Sequence, residues 1–341
     1  MIATSPKRKA IALISGGLDS ALAAKVVFDQ GIDVIGLHLL SPFGCKEDVQ
    51  KCADAIGIPL LIKEKGAAYL DLVENPRYGY GSAMNPCIDC RIFMFQLADV
   101  VRHEQGADFI VTGEVLGQRP MSQHRHALDL IENKSPLKGL VLRPLSAHCL
   151  TPSIPETEGW VRREDLFHIS GRGRREQVAL AAKLNVTQHS QPGGGCLLTE
   201  TGFAPKLKDF FKFPMYQCES ERTAQSELLR YGRHFRISEK TKVILGRNQD
   251  ENQTLESLWK RTNGMLFSPK GFSGPTAIAL GEVGPSERET VGKLISRFGK
   301  SQHNAGATIA FGSANSDPDS VTELLPIPQP LSDDLVEKWR L

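Results

Sequence analysis

Ser15-Gly16-Gly17-Leu18-Asp19-Ser20 follows directly on the apolar run Ala10-Ile11-Ala12-Leu13-Ile14. A short apolar run that ends in a glycine pair and then opens a helical pattern reads as strand, tight loop and helix. Gly16 and Gly17 allow φ > 0 and leave several backbone N–H groups bare. At the start of a helix such N–H groups, aided by the helix dipole, form an anion cradle. Ser15 and Ser20 supply hydroxyl donors, and Asp19 has the chemistry to hold Mg²⁺ on a polyphosphate. An ordinary strand-to-helix turn with a serine cap shares the glycine pair but not the whole string. The string is neither the lysine-containing P-loop nor the dinucleotide fingerprint.

The surrounding chain repeats the same unit. Leu22, Ala23, Val26 and Val27 place an apolar stripe on a helix that should end near Gly31. Val34 to Leu40 is continuously apolar, as a strand buried on both faces should be. A helix over residues 47–56 and a strand over 59–62 follow. This alternation predicts an α/β fold, a doubly wound parallel sheet with its ligand at the carboxyl ends of the strands. His38 is read as a strand residue beside the adenine rather than a catalyst. Ser15 to Ser20 matches in full the SGGxDS signature and resembles the N-type (PP-loop) ATP pyrophosphatases, of adenine nucleotide alpha-hydrolase-like fold. The resemblance implies that Ser15, Gly16, Gly17, Leu18, Asp19 and Ser20 grip the β,γ-pyrophosphate of ATP, with Mg²⁺ near Asp19. Pyrophosphate then leaves as AMP is transferred to a substrate.

A second glycine-bearing loop, Thr112-Gly113-Glu114-Val115-Leu116-Gly117-Gln118, follows the strand 107–111, with Ser122-Gln123 close behind. The string TGEVLGQRPMSQ resembles the TGExxGQxxSQ loop of tRNA 4-thiouridine synthetases, with one extra residue before the final pair. By that resemblance Thr112, Gly113 and Gln118 help to hold ATP. A helix over 127–132 and a strand over 140–142 continue the pattern, and Thr151 to Trp160 reads as a surface loop. Gly171-Arg172-Gly173-Arg174-Arg175 opens an alanine-rich helix through Lys183, and its arginines read either as phosphate ligands or as a solvated basic turn.

Seven cysteines without a secretory leader argue for metal, cluster or thiol chemistry rather than a disulfide framework. Cys87-Ile88-Asp89-Cys90 sits at a predicted helix N-terminus, which favours thiolates. Alone it reads as a zinc site, a redox pair, a cluster site or two incidental thiols. With no second C-x-x-C in the chain, a closed four-cysteine zinc site is not expected. Gln191-Pro192-Gly193-Gly194-Gly195-Cys196 gives a backbone able to approach a ligand closely around a distant thiol. Related tRNA thiolation enzymes pair a C-x-x-C with one distant cysteine to hold a 4Fe–4S cluster by three thiolates, leaving one iron free to bind sulfide. By that resemblance Cys87, Cys90 and Cys196 are the metal ligands, and Cys87 and Cys196 join Asp19 as catalytic residues. A persulfide on Cys196 resolved by one of the pair, and zinc on the same three cysteines, stand beside it. Two thiols suffice for a persulfide relay, so the third favours the cluster. Cys45, Cys52, Cys149 and Cys218 are read as small buried hydrophobes.

At 341 residues the chain has room for two domains, read here as 1–205 and a smaller α+β domain, 206–341. With 41 Lys+Arg against 39 Asp+Glu, bulk charge says nothing about nucleic acid, so RNA contacts must come from local patches. A short basic start followed by one brief strand shows neither a signal-peptide core nor a membrane span, and a cytoplasmic protein is expected. In the second domain, GRNQDENQTL (246–255) and LFSPKGFSGPTAIAL (266–280) are similar to the NFACT RNA-binding domain. Arg233, His234, Arg236 and Arg247 are candidate phosphate contacts, or charges on a structural strand. Taken together the resemblances imply an ATP-dependent tRNA sulfurtransferase that adenylates a uridine carbonyl and replaces its oxygen with sulfur, giving 4-thiouridine. The partners expected are tRNA, a sulfur donor (free sulfide or a cysteine desulfurase) and a second copy of the chain, with no membrane. An ATP-dependent amidating enzyme on the same fold, or a non-catalytic RNA-binding factor that senses ATP, would share the nucleotide loop.

Overall fold

A computed structural model of the chain describes residues 7–44, 49–187, 196–300, 308–313, 323–326 and 329–341. It divides into two compact units, Met1–Thr199 and Glu200–Leu341. Cys45 and the glycine run 193–195 lie outside the described residues.

The first unit runs β1 (Lys9–Leu13), α1 (Leu18–Phe28), β2 (Asp33–Leu40), α2 (Val49–Ile56), β3 (Leu60–Glu64), α3 (Ala67–Glu74), α4 (Cys87–Glu104), β4 (Phe109–Val111), α5 (Arg125–Asn133), β5 (Val141–Leu142), α6 (Ile154–Thr157) and α7 (Arg175–Lys183). Its five strands are parallel in the order β3-β2-β1-β4-β5. Side chains alternate across β1: Ala10 and Ala12 pack with Leu22 of α1 and Leu180 of α7, whereas Ile11 and Leu13 pack with Phe95 of α4 and Ile131 of α5. The central strand is thus apolar on both faces because helices cover both. The chain moves from β1 outward to β3, then crosses back to place β4 on the other flank of β1. The crevice beyond the carboxyl ends of β1 and β4 is therefore the topological switch point, where ligands bind in open α/β sheets.

Two helices are not legible in the sequence. Helix α3 has no expected counterpart, and α6 is a single turn inside the stretch that reads as a surface loop. Ser153 starts that turn through a capping box, its N–H donating to Glu156 Oε2 at 2.8 Å, and Pro155 is buried.

The second unit runs α8 (Ala204–Lys212), α9 (Glu219–Leu228), β6 (Arg233–Ser238), β7 (Thr241–Leu245), α10 (Gln249–Trp259), β8 (Met265–Lys270), β9 (Ala277–Gly281), α11 (Pro285–Phe298), β10 (Thr308–Ser313), β11 (Glu323–Pro326) and α12 (Asp333–Trp339). Its sheet is antiparallel in the order β11-β10-β8-β9-β7-β6. Phe235, Val243, Phe267 and Ile309 meet Leu294 of α11 and Val336 of α12 on one face, and Ile244 and Ile278 meet Leu228 of α9 and Leu255 of α10 on the other. The tail after Pro326, read as a linker before a short helix, is preceded by the edge strand β11. Helix α8 runs through Phe210 and Phe211, read from sequence as a joint, and lies in this unit. Its Asp209 ties it to the sheet, accepting Arg236 Nε and Nη2 at 2.7 Å each and Lys242 Nζ at 2.8 Å. Burial pushes the Asp209 carboxyl up, but those two cations bring it below its ordinary value. Burial outweighs Asp209 at the fully enclosed Lys242, whose ammonium is pushed down to about 8.

Candidate functional site

The loop after β1 and the loop after β4 meet at the switch point and line one cavity with His38, Arg91, Met94 and Arg174. Gly16 takes φ 83°, as the sequence reading requires. Gly17 does not: its φ is −82°, open to any residue, and what it contributes is a backbone without a side chain at the start of α1. Ser20 Oγ donates to Gly17 O at 2.8 Å, accepts from Ser15 N at 3.2 Å and lies 3.1 Å from Ser15 Oγ. Both serine hydroxyls thus brace the turn that aims the N–H groups. Leu18 is buried against the apolar layer and fixes the first turn of α1.

Asp19 Oδ2 accepts from Gln118 Nε2 at 3.0 Å, so the two loops named from sequence are joined through their polar side chains. Asp19 Oδ1 is buried and has no hydrogen-bond partner among the described residues. An unpartnered carboxylate oxygen in a phosphate-sized cavity fits a hard cation such as Mg²⁺. Gly113 packs backbone to backbone on the same loop: a Cβ there would lie 2.5 Å from both Asp19 C and Ser20 N. Gly113→Ala must therefore push the two loops apart. We expect at least a tenfold loss of ATP affinity and about 1–3 kcal/mol of stability, read by isothermal titration and thermal melting. Unchanged ATP affinity would show that the close approach does not shape the site.

Arg91, Arg119 and Arg174 bring three guanidinium groups to this cavity, against the carboxylates of Asp19 and Glu114. Burial, and then the charges of Arg91 and Arg174, hold Arg119 below its ordinary value. A polyphosphate relieves such repulsion. Arg174 lines this cavity from its basic turn, which Gly171 N fastens to Leu116 O at 2.7 Å. His38 Nδ1 lies 2.9 Å from Ile14 O, which can only accept, so in the neutral ring Nε2 carries the free lone pair. Thr112 lines the cavity but directs its hydroxyl to Glu114 Oε2 at 3.3 Å. Glu114, buried beneath, pairs with Arg143 Nε at 3.0 Å and Arg91 Nε at 3.5 Å, and Arg143 Nη1 continues to Glu132 at 2.7 Å.

The C-x-x-C pair opens α4, where residues 87, 90, 91 and 94 share one face. Asp89 between the cysteines has a structural role, accepting the N–H groups of Arg77 and Tyr78 at 3.1 and 3.0 Å and pinning that segment to the helix. Cys90 Sγ lies 3.5 Å from Lys65 Nζ, 3.5 Å from the Tyr69 hydroxyl and 3.9 Å from Met94 Sδ. Lys65 Nζ in turn sits 4.3 Å over the Tyr69 ring. Cys196 Sγ is 3.8 Å from Phe43 O, and it lies near enough to Cys90 and Cys87 that ionising either opposes ionising Cys196. Burial, then Cys90 and Cys196, push the Tyr69 hydroxyl well above its ordinary value.

The helix start does not leave Cys87 acidic as expected. Burial raises Cys87, with Cys90 adding to the rise and Arg91 and Arg119 opposing it. Burial raises Cys196 to about 11, only partly offset by the backbone N–H of Leu198. Among the described residues no group of three His, Cys, Asp or Glu is arranged to hold a metal ion. The donors themselves, three partly accessible cysteine thiols, are the soft type that iron–sulfur clusters and zinc take. Of the cysteines read as buried hydrophobes, Cys52 is buried, Cys149 is half-buried with Sγ 3.1 Å from His168 O, and Cys218 is exposed.

Sequence reasoning missed Lys65, Tyr69, Arg91 and Arg119. Arg91 and Arg119 directly follow the quoted motifs, at Cys90 and Gln118, and their positions were the available signal. In the second unit two candidate phosphate contacts fall away. His234 is buried, with Nε2 2.8 Å from Tyr231 O, and burial followed by Lys242 and Lys206 lowers it far enough to keep it neutral. Arg236 is committed to Asp209. Arg233 and Arg247 remain accessible in part.

Residues 5–149 match the family described as Thiamine biosynthesis protein (ThiI), and residues 232–340 match the NFACT protein RNA binding domain. Among curated proteins, the tRNA-specific 2-thiouridylase MnmA of Thermobifida fusca (strain YX) is 29% identical over 175 residues, covering 46% of this chain and 48% of that protein. Its namesake from Micrococcus luteus is 32% identical over 169 residues, covering 42% and 44%. The chain spans about half the length of the curated relatives it matches. A crystal structure of a 4-thiouridine synthetase–RNA complex with bound ATP aligns at TM-score 0.38 and 23% identity, over 65% of this chain and 52% of that one.

Proposed function

We propose that this chain, which joins a ThiI-type PP-loop domain to an NFACT-type RNA-binding domain, is an ATP-dependent tRNA sulfurtransferase. The observation that carries the reading is the span of Arg91. Its guanidinium lines the nucleotide cavity beside Glu114, and its charge bears on the thiol of Cys87. An adenylating pocket and a set of thiols therefore share one cation.

In this reading the loop from Ser15 to Ser20 at the start of α1 and the three arginines hold the triphosphate, and Asp19 holds Mg²⁺. A uridine carbonyl oxygen attacks the α-phosphate, the bond to the β-phosphate breaks, and pyrophosphate leaves. A sulfur nucleophile presented among Cys87, Cys90 and Cys196 then attacks the activated ring carbon, and AMP departs with the former carbonyl oxygen. The protein supplies charge and position more than covalent chemistry. Cys87, Cys90 and Cys196 would hold a 4Fe–4S cluster, which when bound offers an iron position to sulfide. Three thiols stand where a persulfide relay needs two, and this is the ground on which we prefer the cluster. The cell compartment that supplies tRNA, ATP and reduced thiols together is the cytoplasm, where we place the activity.

The ring position we propose is 4, on the TGEVLGQRPMSQ loop and the ThiI-type domain. A 2-thiouridine product is the second reading, favoured by the identity with 2-thiouridylases. The test is anaerobic incubation of the purified chain with unmodified tRNA, ATP, Mg²⁺ and sulfide, followed by nucleoside mass spectrometry. The expected result is thiouridine formed with one AMP per sulfur, its retention identifying the ring position. AMP formation that needs ammonia and not tRNA would assign an amidating enzyme, and tRNA binding without pyrophosphate release a non-catalytic factor.

A further inference from the structure

The second unit carries a cluster of cations separate from its buried Asp209 network. Lys206 on α8, Arg233 at the start of β6, Arg247 after β7 and Arg340 after α12 are gathered around one carboxylate, Glu251. Glu251 accepts Arg247 Nε at 2.9 Å and the backbone N–H groups of Arg247 and Gly232 at 2.8 and 3.2 Å. Lys206 Nζ reaches Gly232 O at 3.4 Å, which sets it beside the same turn. The Arg233 guanidinium lies 4.9 Å over the Phe298 ring, flattened and oriented by it. Arg340 is carried to β6 by its bridge with Phe235 and meets Glu337 at 3.4 Å. Arg247 and Arg340 are exposed, and Lys206 and Arg233 are half-buried behind them.

These charges act on one another. After burial, the charges of Arg247 and Arg340 are what lower Lys206 and Arg233, with Glu251 opposing them in both cases. Four cations from four elements thus face two carboxylates, Glu251 and Glu337. Phosphodiester oxygens match guanidinium forks in geometry and relieve like-charge repulsion that a surface of paired charges would not show.

We propose that Lys206, Arg233, Arg247 and Arg340 form a site for the phosphate backbone of RNA, with Arg247 and Arg340 making the outer contacts. The proposal rests on the tRNA reading above and names the surface of the second unit that serves it. It extends that surface to α8, which precedes the residues 232–340 matched by the RNA-binding family.

Fluorescence anisotropy of the full chain with labelled unmodified tRNA, repeated over a range of salt, tests it. Each lost phosphate contact costs about fivefold at about 0.15 M salt, so Arg247→Gln with Arg340→Gln should weaken binding on the order of 30-fold and reduce the salt slope by about two. Arg340→Glu, which leaves the Arg247–Glu251 pair in place, should weaken it more than tenfold on its own. Arg261→Gln, beyond the far end of α10 and paired with Glu227, should bind like the parent chain. Parent-like affinity and salt slope in the double variant, or unchanged affinity in Arg340→Glu, overturns the proposal. Failure of the parent chain itself to bind tRNA overturns the underlying reading instead.

Discussion

Asp19→Asn should lower tRNA-dependent pyrophosphate release on the order of 1,000-fold while leaving the melting temperature nearly unchanged. The asymmetry follows from the two carboxylate oxygens. Oδ2 is held by Gln118, a hydrogen bond that the amide oxygen of asparagine can still accept. Oδ1 has no hydrogen-bond partner among the described residues, so no protein contact made through it is lost. What disappears is the negative charge beside the phosphates and with it the hold on Mg²⁺. Gln118→Ala keeps the charge but frees its orientation, and a loss of about 10- to 100-fold is expected there. A rate within tenfold of the parent chain in Asp19→Asn would remove Asp19 from the metal-binding role.

Cys196→Ser should abolish thiouridine formation, a fall on the order of 1,000-fold or more by nucleoside mass spectrometry, yet keep pyrophosphate release within about threefold. Cys196 does not line the nucleotide cavity, so the adenylation half of the reaction keeps its machinery. The hydroxyl that replaces the thiol neither carries transferable sulfur nor binds iron as a thiolate does. Iron and acid-labile sulfide counts on the same anaerobic preparation divide the two sulfur chemistries. A cluster held by three thiolates is lost from Cys87→Ser, Cys90→Ser and Cys196→Ser alike, whereas a persulfide relay survives loss of whichever member of the pair does not resolve it. Full thiolation by Cys196→Ser would end both accounts.

The parallel sheet was legible because β1, β2 and β4 are apolar runs that two helix layers must cover, and the order of glycine loops marks the carboxyl edge. That the two glycine loops matter to one site was legible because each is a compact motif, with Gly16 and Asp19 in one and Gly113 and Gln118 in the other, and the structure brings the two together. What escaped was long-range and electrostatic. Lys65 and Tyr69 reach Cys90 from a strand end and a helix with no motif of their own, across 25 and 21 residues. The acidity of Cys87 was misjudged because a helix start is visible in sequence whereas depth of burial is not, and burial is the larger effect there. His234 and Arg236 were misassigned by the same blindness, since alternation along β6 does not tell which basic side chain meets a buried carboxylate. The edge strand β11, Glu323 to Pro326, has no counterpart in the sequence reading, being four residues long and ending on a proline just before the stretch read as linker.

Helix α4 carries Cys87 and Cys90 on the same face as Arg91 and Met94, and the latter two line the nucleotide cavity. Two thiols and one of the cavity's cations are consequently parts of one helix. A shift of that helix along or about its axis therefore moves both thiols and Arg91 together, so the cavity wall and the thiol pair cannot be positioned independently.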